Sequence, residues 1–228
     1  MSLDNFNQYC FDEQQVLGEI LFKEYIETMS KYEFDIEFMF QDMGIENTLQ
    51  YFIDLIEKAP SFIPAYDYLI ACFLLLEDSK EEISNVAFSG AIEVLQIFKS
   101  QKSKKPLIVE WLFIENRPLL RTIYNHAMDL WENELQLEAK ELFELLITIN
   151  PLDNQGARYN YLATSLDFTY KQFFKRFTDA NGYFKPNLDK WFKENEGKNL
   201  CLIGRNTRIE KLYPELSDGS DSGMDFFS

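Results

Sequence analysis

The sequence of 228 residues has few of the side chains on which most catalytic and metal sites depend. It holds one histidine, His126, and three cysteines that are far apart, Cys10, Cys72 and Cys201. Zinc sites and nucleophile–base pairs usually need histidine or closely spaced cysteines. We therefore predict no metal, no cofactor, no catalytic residue and no disulfide framework, in a protein that occupies a reducing compartment.

Glycine and proline are also scarce, with 9 and 7 residues, which argues against a turn-rich all-β fold. The longest apolar run, residues 68–76, has nine residues, whereas a membrane-spanning helix needs about 20. The first residues carry neither the basic segment nor the apolar stretch of a signal peptide. These absences predict a cytoplasmic protein that does not cross a membrane.

Aromatic and acidic residues, in contrast, are abundant. Aromatic residues make up 16% of the chain, more than a mainly disordered chain would carry. With 38 acidic residues against 22 lysines and arginines, the net charge is −16, which argues against a nucleic-acid partner because phosphate backbones would be repelled. The charge is uneven: residues 1–60 carry −10 and residues 215–228 carry −4, but residues 161–214 carry +4.

Apolar residues recur at three- and four-residue steps along most of the chain, which is the period of helices. One such pattern runs from Val16 to Met29 after Asp12, a candidate N-cap. Only two short stretches favour a strand, at 107–109 and 200–203. The predicted fold class is therefore all-α.

One part of the helical pattern, residues 120–153, is regular enough to compare with known repeats. Small and large apolar residues are spaced over two predicted helices, at Ile123, Ala127, Leu130, Ala139, Phe143, Leu146 and Pro151. Ala127 and Ala139 are small where two helices would cross closely, and Pro151 would end the second helix. This spacing resembles the tetratricopeptide repeat of about 34 residues.

The resemblance implies antiparallel helix pairs that stack as a short α-solenoid. Weaker echoes of the pattern upstream extend the predicted repeat region over residues 46–167, after an N-terminal helical segment at 1–45. An aromatic and basic C-terminal cap is predicted at 168–214, and a flexible acidic tail at 215–228. The alternative is an irregular helical bundle in which the spacing arises by chance.

The same resemblance implies a non-catalytic scaffold or adaptor that binds a peptide or helix of a protein partner in a concave groove. Six residues are predicted to line that groove and to be at least partly exposed: Arg121, Tyr124, Met128, Trp131, Arg158 and Leu162. Two other functions stay open. The chain could be an acidic inhibitor that covers a basic partner surface, or an enzyme with an unrecognised helical site around His126.

Three features have both a structural and a functional interpretation. His126 either packs between helices or acts as a general base. Arg158 either clamps an anion or belongs to a junction in which Pro151 stops one helix and Asp153 caps the next. The basic residues at 168–214 face either the acidic parts of the chain, an acidic peptide or a nucleic acid.

The C-terminal residues 217–228 also have two interpretations. They combine acidic residues with Met224, Phe226 and Phe227. They are either an ordinary chain end or a peptide that docks onto the basic cap and competes with an outside ligand there.

Overall fold

The computed structural model describes residues 15–16, 42–76, 80–100, 107–199 and 201–205, and its helices confirm the predicted all-α class. The helices are α1 (Ile45–Lys58), α2 (Pro64–Leu75), α3 (Lys80–Ser100), α4 (Asn116–Glu132), α5 (Gln136–Ile149), α6 (Ala157–Ser165), α7 (Tyr170–Phe177) and α8 (Asn187–Asn195). A 3₁₀ turn at Glu196–Lys198 follows α8. No helix in this described part of the chain is both long enough and apolar enough to cross a membrane.

Strand structure is confined, among the described residues, to two short segments and one isolated bridge. Strand β1 (Gln15–Val16) pairs in parallel with β2 (Leu107–Ile108). The prediction of a helix at Val16 is therefore wrong, and the rest of that predicted helix lies outside the described residues. The strand predicted at 200–203 is also wrong: residues 201–205 are helical, because the Asn199 side chain accepts hydrogen bonds from the amides of Cys201 and Leu202 and so starts a helix.

The chain divides into two compact units, Met1–Asp129 and Leu130–Ser228. This division falls within α4, away from the boundaries predicted after residues 45, 167 and 214. The tail predicted at 215–228 lies outside the described residues.

In the first unit, α1 packs against α2 and α2 packs against α3. The α1–α2 core is formed by the buried residues Phe52, Leu55, Phe62, Ala65, Leu69 and Cys72. Gly90 of α3 marks a close approach, because a β-carbon there would lie 3.0 Å from side-chain atoms of both Tyr66 and Thr122. Only glycine fits without a shift of these neighbours.

In the second unit, α5 packs against α6, and α6 also contacts α8. Ala139 and Phe143 of α5 are fully buried, as the repeat spacing predicts. Helix α5 ends at Ile149, two residues before Pro151, which agrees with the predicted end of this helix. Leu130, another position of the repeat pattern, is only half-buried.

Candidate functional site

Four of the six predicted groove residues are at least partly exposed. Arg121 is exposed, and Tyr124 and Met128 are half-buried, all three in the first unit. The guanidinium of Arg121 lies 5.4 Å from the centre of the Trp111 ring, where a cation is attracted to the aromatic face. Arg158 belongs to the second unit, and 17% of its side chain is exposed.

Trp131 and Leu162 are each only 1% exposed, so the prediction that they offer surface to a ligand is wrong. The Trp131 indole donates a hydrogen bond of 3.0 Å to the carbonyl oxygen of Phe168, and its ring packs on Phe173 at 5.3 Å. Leu162 lies on α6, a helix that contacts both α5 and α8. The groove predicted from the repeat spacing would expose Trp131 on α4. In this chain, aromatic residues that follow Ser165 cover its ring.

The junction before α6 supports the structural interpretation of Asp153 and Arg158, although the N-cap position itself is taken by Gly156 and not by Asp153. The buried Asp153 carboxylate accepts hydrogen bonds from the amides of Ala157 at 2.7 Å and Arg158 at 3.0 Å. The Arg158 guanidinium forms an ion pair with the same carboxylate at 3.0 Å and lies 4.4 Å from the centre of the Tyr159 ring. The Arg158 guanidinium is thus engaged by its own chain.

The same junction is linked to α8 through Tyr159, a contact that the sequence did not suggest. Tyr159 donates a hydrogen bond to the Asp189 carboxylate, and its ring packs on Phe192 at 4.9 Å. Burial raises the pKa of the Tyr159 hydroxyl, and the bond to Asp189 raises it further because it favours the protonated form. Tyr159 therefore joins α6 to α8 as a neutral donor.

His126 is a packing residue of the first unit. It is 8% exposed, and its ring contacts Phe88 edge-on at 5.5 Å. Burial lowers the pKa of His126, against the opposing effect of Asp129, so the imidazole is neutral at pH 7. Its Nδ1 atom makes no hydrogen bond with any residue in the described ranges, and within those ranges no cluster of His, Cys, Asp and Glu could hold a metal ion.

One surface feature of the second unit combines charge with concavity: a pocket beside α7, here called the basic pocket. It has a volume of about 580 Å³, opens to solvent, and is lined by Leu166, Asp167, Phe168, Gln172, Lys175 and Arg176. Lys175 and Arg176 are exposed, and Leu166 is 43% exposed. The pocket therefore offers two cations next to apolar surface.

Helix α7 supplies the charge of the basic pocket. Its sequence, YKQFFKRF, contains three basic residues and no acidic one. Lys175 and Arg176 lie in its last turn, where cations interact favourably with the helix dipole. The Arg176 guanidinium also lies 5.5 Å from the centre of the Phe168 ring, which positions the charge over the pocket's aromatic wall.

The buried face of α7 packs against aromatic residues. Phe173 and Phe177 are fully buried, and their rings contact Trp191 at 6.2 and 4.9 Å. The N-terminus of α7 is closed by a reciprocal capping box between Thr169 and Gln172. These contacts fix the direction of the helix face that carries Lys175 and Arg176.

Asp167 places one negative charge at the edge of the basic pocket. It is exposed and adopts a left-handed conformation with φ of 60° where α6 ends. The amide of Phe168 donates to the carbonyl of Ala163 at 3.0 Å, which is the hydrogen bond expected at such a helix end. The turn therefore brings Leu166 and Phe168 next to α7.

Sequence patterns identified only part of this pocket. Phe168, Lys175 and Arg176 belong to the aromatic and basic cap predicted at 168–214, whereas no sequence pattern was used to predict Leu166, Asp167 or Gln172. Gln172 could have been found from the Thr-x-x-Gln spacing of a capping box. No local signal marks Leu166, because its exposure depends on the turn that follows α6.

Comparison of the chain with models of protein families, with curated proteins and with solved structures finds no match. The resemblance to the tetratricopeptide repeat therefore rests on the spacing within residues 120–153.

Proposed function

We propose that this chain is a protein-interaction module that binds an acidic peptide segment carrying apolar or aromatic residues, and that the basic pocket is where this segment binds. The observation that carries the proposal is the composition of the pocket. In a protein of net charge −16, the exposed cations Lys175 and Arg176 lie beside the exposed Leu166 and the half-buried Phe168.

Each part of the pocket matches one part of such a ligand. Ligand carboxylates would pair with Lys175 and Arg176, and an apolar ligand side chain would cover Leu166 and the Phe168 ring. Exposed ion pairs contribute only about 0–1 kcal/mol each and are screened by salt. We therefore expect weak binding whose specificity comes mostly from the charge of the ligand. Weak binding suits an adaptor that exchanges partners.

An adaptor role also agrees with the resemblance to tetratricopeptide repeats, although the proposed binding surface differs from the groove expected of that family. Arg121, Tyr124 and Met128 in the first unit stay predicted partner contacts, and Arg158 in the second unit stays a separate one. The acidic inhibitor and the enzyme likewise stay predictions that no observed geometry favours.

Binding of a synthetic peptide by charge-reversed variants tests the proposal. The probe is a fluorescent dodecapeptide of aspartate, serine and phenylalanine, and its neutral counterpart carries asparagine in place of aspartate. The double variant Lys175→Glu, Arg176→Glu should weaken binding of the acidic probe at least about 10-fold, because it replaces two attractive pairs with two repulsive ones.

The matched control is Lys193→Glu, which reverses an exposed charge on α8 outside the pocket. This variant should bind within about twofold of the parent. The proposal would be overturned if the double variant bound the acidic probe as tightly as the parent does. It would also be overturned if the parent preferred the neutral peptide. The far-ultraviolet circular dichroism of each variant shows whether its helices are retained.

A further inference from the structure

The basic pocket also suits one segment of this same chain. We propose that the C-terminal segment, residues 217–228, occupies the basic pocket and competes with an outside ligand for it. This inference rests on the proposed function, since it uses the same pocket, and it adds a built-in competitor that regulates access.

The chemistry of the segment is complementary to the pocket. Residues 217–228 carry three acidic residues and no basic one, and they include the stretch Met-Asp-Phe-Phe-Ser. Asp225 would pair with Lys175 or Arg176, while Phe226 or Phe227 would cover Leu166 and the Phe168 ring. The segment thus combines an acidic residue with neighbouring aromatic residues, as the proposed ligand does.

The chain is long enough to reach the pocket. Residues 201–205 belong to the same unit as the pocket, and they are anchored there, since Leu202 is 1% exposed and Arg205 donates to the carbonyl of Leu152 at 3.5 Å. Twenty residues lie between Arg205 and Phe226, and this stretch could span up to about 70 Å when extended. A unit of about 100 residues has a radius of gyration of only about 13 Å.

Tethering makes even a weak contact effective. A short linker presents its end at an effective concentration in the millimolar range. A segment whose free peptide bound with a dissociation constant of about 0.3 mM would then fill the pocket most of the time. An outside ligand would bind the full chain roughly 3–10 times more weakly than a chain without the segment, because it must displace the segment first.

The test compares four proteins: the full chain, a chain that ends at Leu216, the full chain with Phe226→Ser and Phe227→Ser, and the truncated chain with Lys175→Glu and Arg176→Glu. The probes are a fluorescent peptide of residues 217–228 and the unrelated acidic phenylalanine dodecapeptide. Affinities are measured at about 20 and 500 mM salt.

Truncation should tighten binding of both probes about 3–10-fold at low salt, and the difference should shrink at high salt. The double serine variant should bind the probes with an affinity between those of the full and the truncated chain, because it keeps the acidic residues of the segment but cannot cover Leu166 and Phe168. The charge-reversed truncated chain should bind neither probe, which locates the effect in the pocket.

The failures are distinguishable. If the truncated and full chains bind the dodecapeptide equally well, or if the truncated chain binds it but not the 217–228 peptide, the competitor is refuted and the proposed function stands. If no protein binds either acidic probe, both fail. If the effect of truncation grows with protein concentration, the segment docks onto a second copy, which would overturn the intrachain arrangement.

Discussion

Asp67, in the first turn of α2, is a carboxylate that water reaches poorly. Burial raises the pKa of Asp67 from 3.8 to about 6, although the Arg121 guanidinium opposes the rise. The folded state therefore holds the proton more tightly than the unfolded chain does. The contribution of Asp67 to the free energy of unfolding should be largest below about pH 4. It should be lost as the pH rises from about 4 to 6.

Asp67→Asn should remove this pH dependence, because asparagine is neutral throughout. The variant should resemble the parent near pH 4 and be more stable by about 1–3 kcal/mol at pH 7. Urea unfolding at a series of pH values measures this difference. The control Asp54→Asn alters an exposed carboxylate of α1 and should not produce it. If the free energy of unfolding changed with pH in the same way for the parent and for Asp67→Asn, burial would not be what raises the pKa of this carboxylate.

Gly90 of α3 lies at a close contact with α2 and α4. The β-carbon of an alanine there would meet the Tyr66 ring and the Thr122 methyl at 3.0 Å, a distance that forces neighbours to move. Gly90→Ala should cost about 1–3 kcal/mol through overpacking, in spite of the higher helix propensity of alanine. Thermal unfolding measures this cost.

Gly197→Ala is the matched control for that crossing, since a β-carbon at Gly197 meets nothing within 4 Å. It should change the melting temperature by less than about 2 °C. A Gly90→Ala variant as stable as this control would mean that the helices separate more easily than the geometry indicates.

The net charge of −16 affects the stability of the chain as a whole. Like charges at this density repel one another and oppose the compact state, and salt screens that repulsion. Raising sodium chloride from about 10 to 300 mM should therefore raise the melting temperature. Each kcal/mol gained is worth about 2–4 °C in a chain of this length. A melting temperature that falls with salt would mean that attractive ion pairs outweigh the repulsion.

The same salt series separates stability from binding. Salt should stabilise the fold but weaken peptide binding at the basic pocket, because the first effect screens repulsion and the second screens attraction. Salt has opposite effects on stability and on peptide binding because the chain is acidic overall but basic on α7.

Local information in the sequence determined the helical class and the ends of several elements. Apolar residues at helical spacing need only their near neighbours to form a helix, so the α5 region was predictable. Pro151 and Asp153 stop and cap helices through contacts a few residues away, and these too were predictable. The strand predicted at 200–203 failed because the Asn199 cap, itself a local signal, outweighed the β-branched and apolar residues.

Tertiary structure alone decided which surfaces are available to a ligand. Trp131 has the spacing of a groove residue, but it is buried under Phe168 and Phe173, which lie about 40 residues further along the chain. Arg158 looks like an open cation until the turn before α6 brings Asp153 against it. Leu166 becomes the apolar wall of the basic pocket only because the chain reverses at Asp167. Exposure depends on what packs from elsewhere in the chain, and no local pattern of residues contains that information.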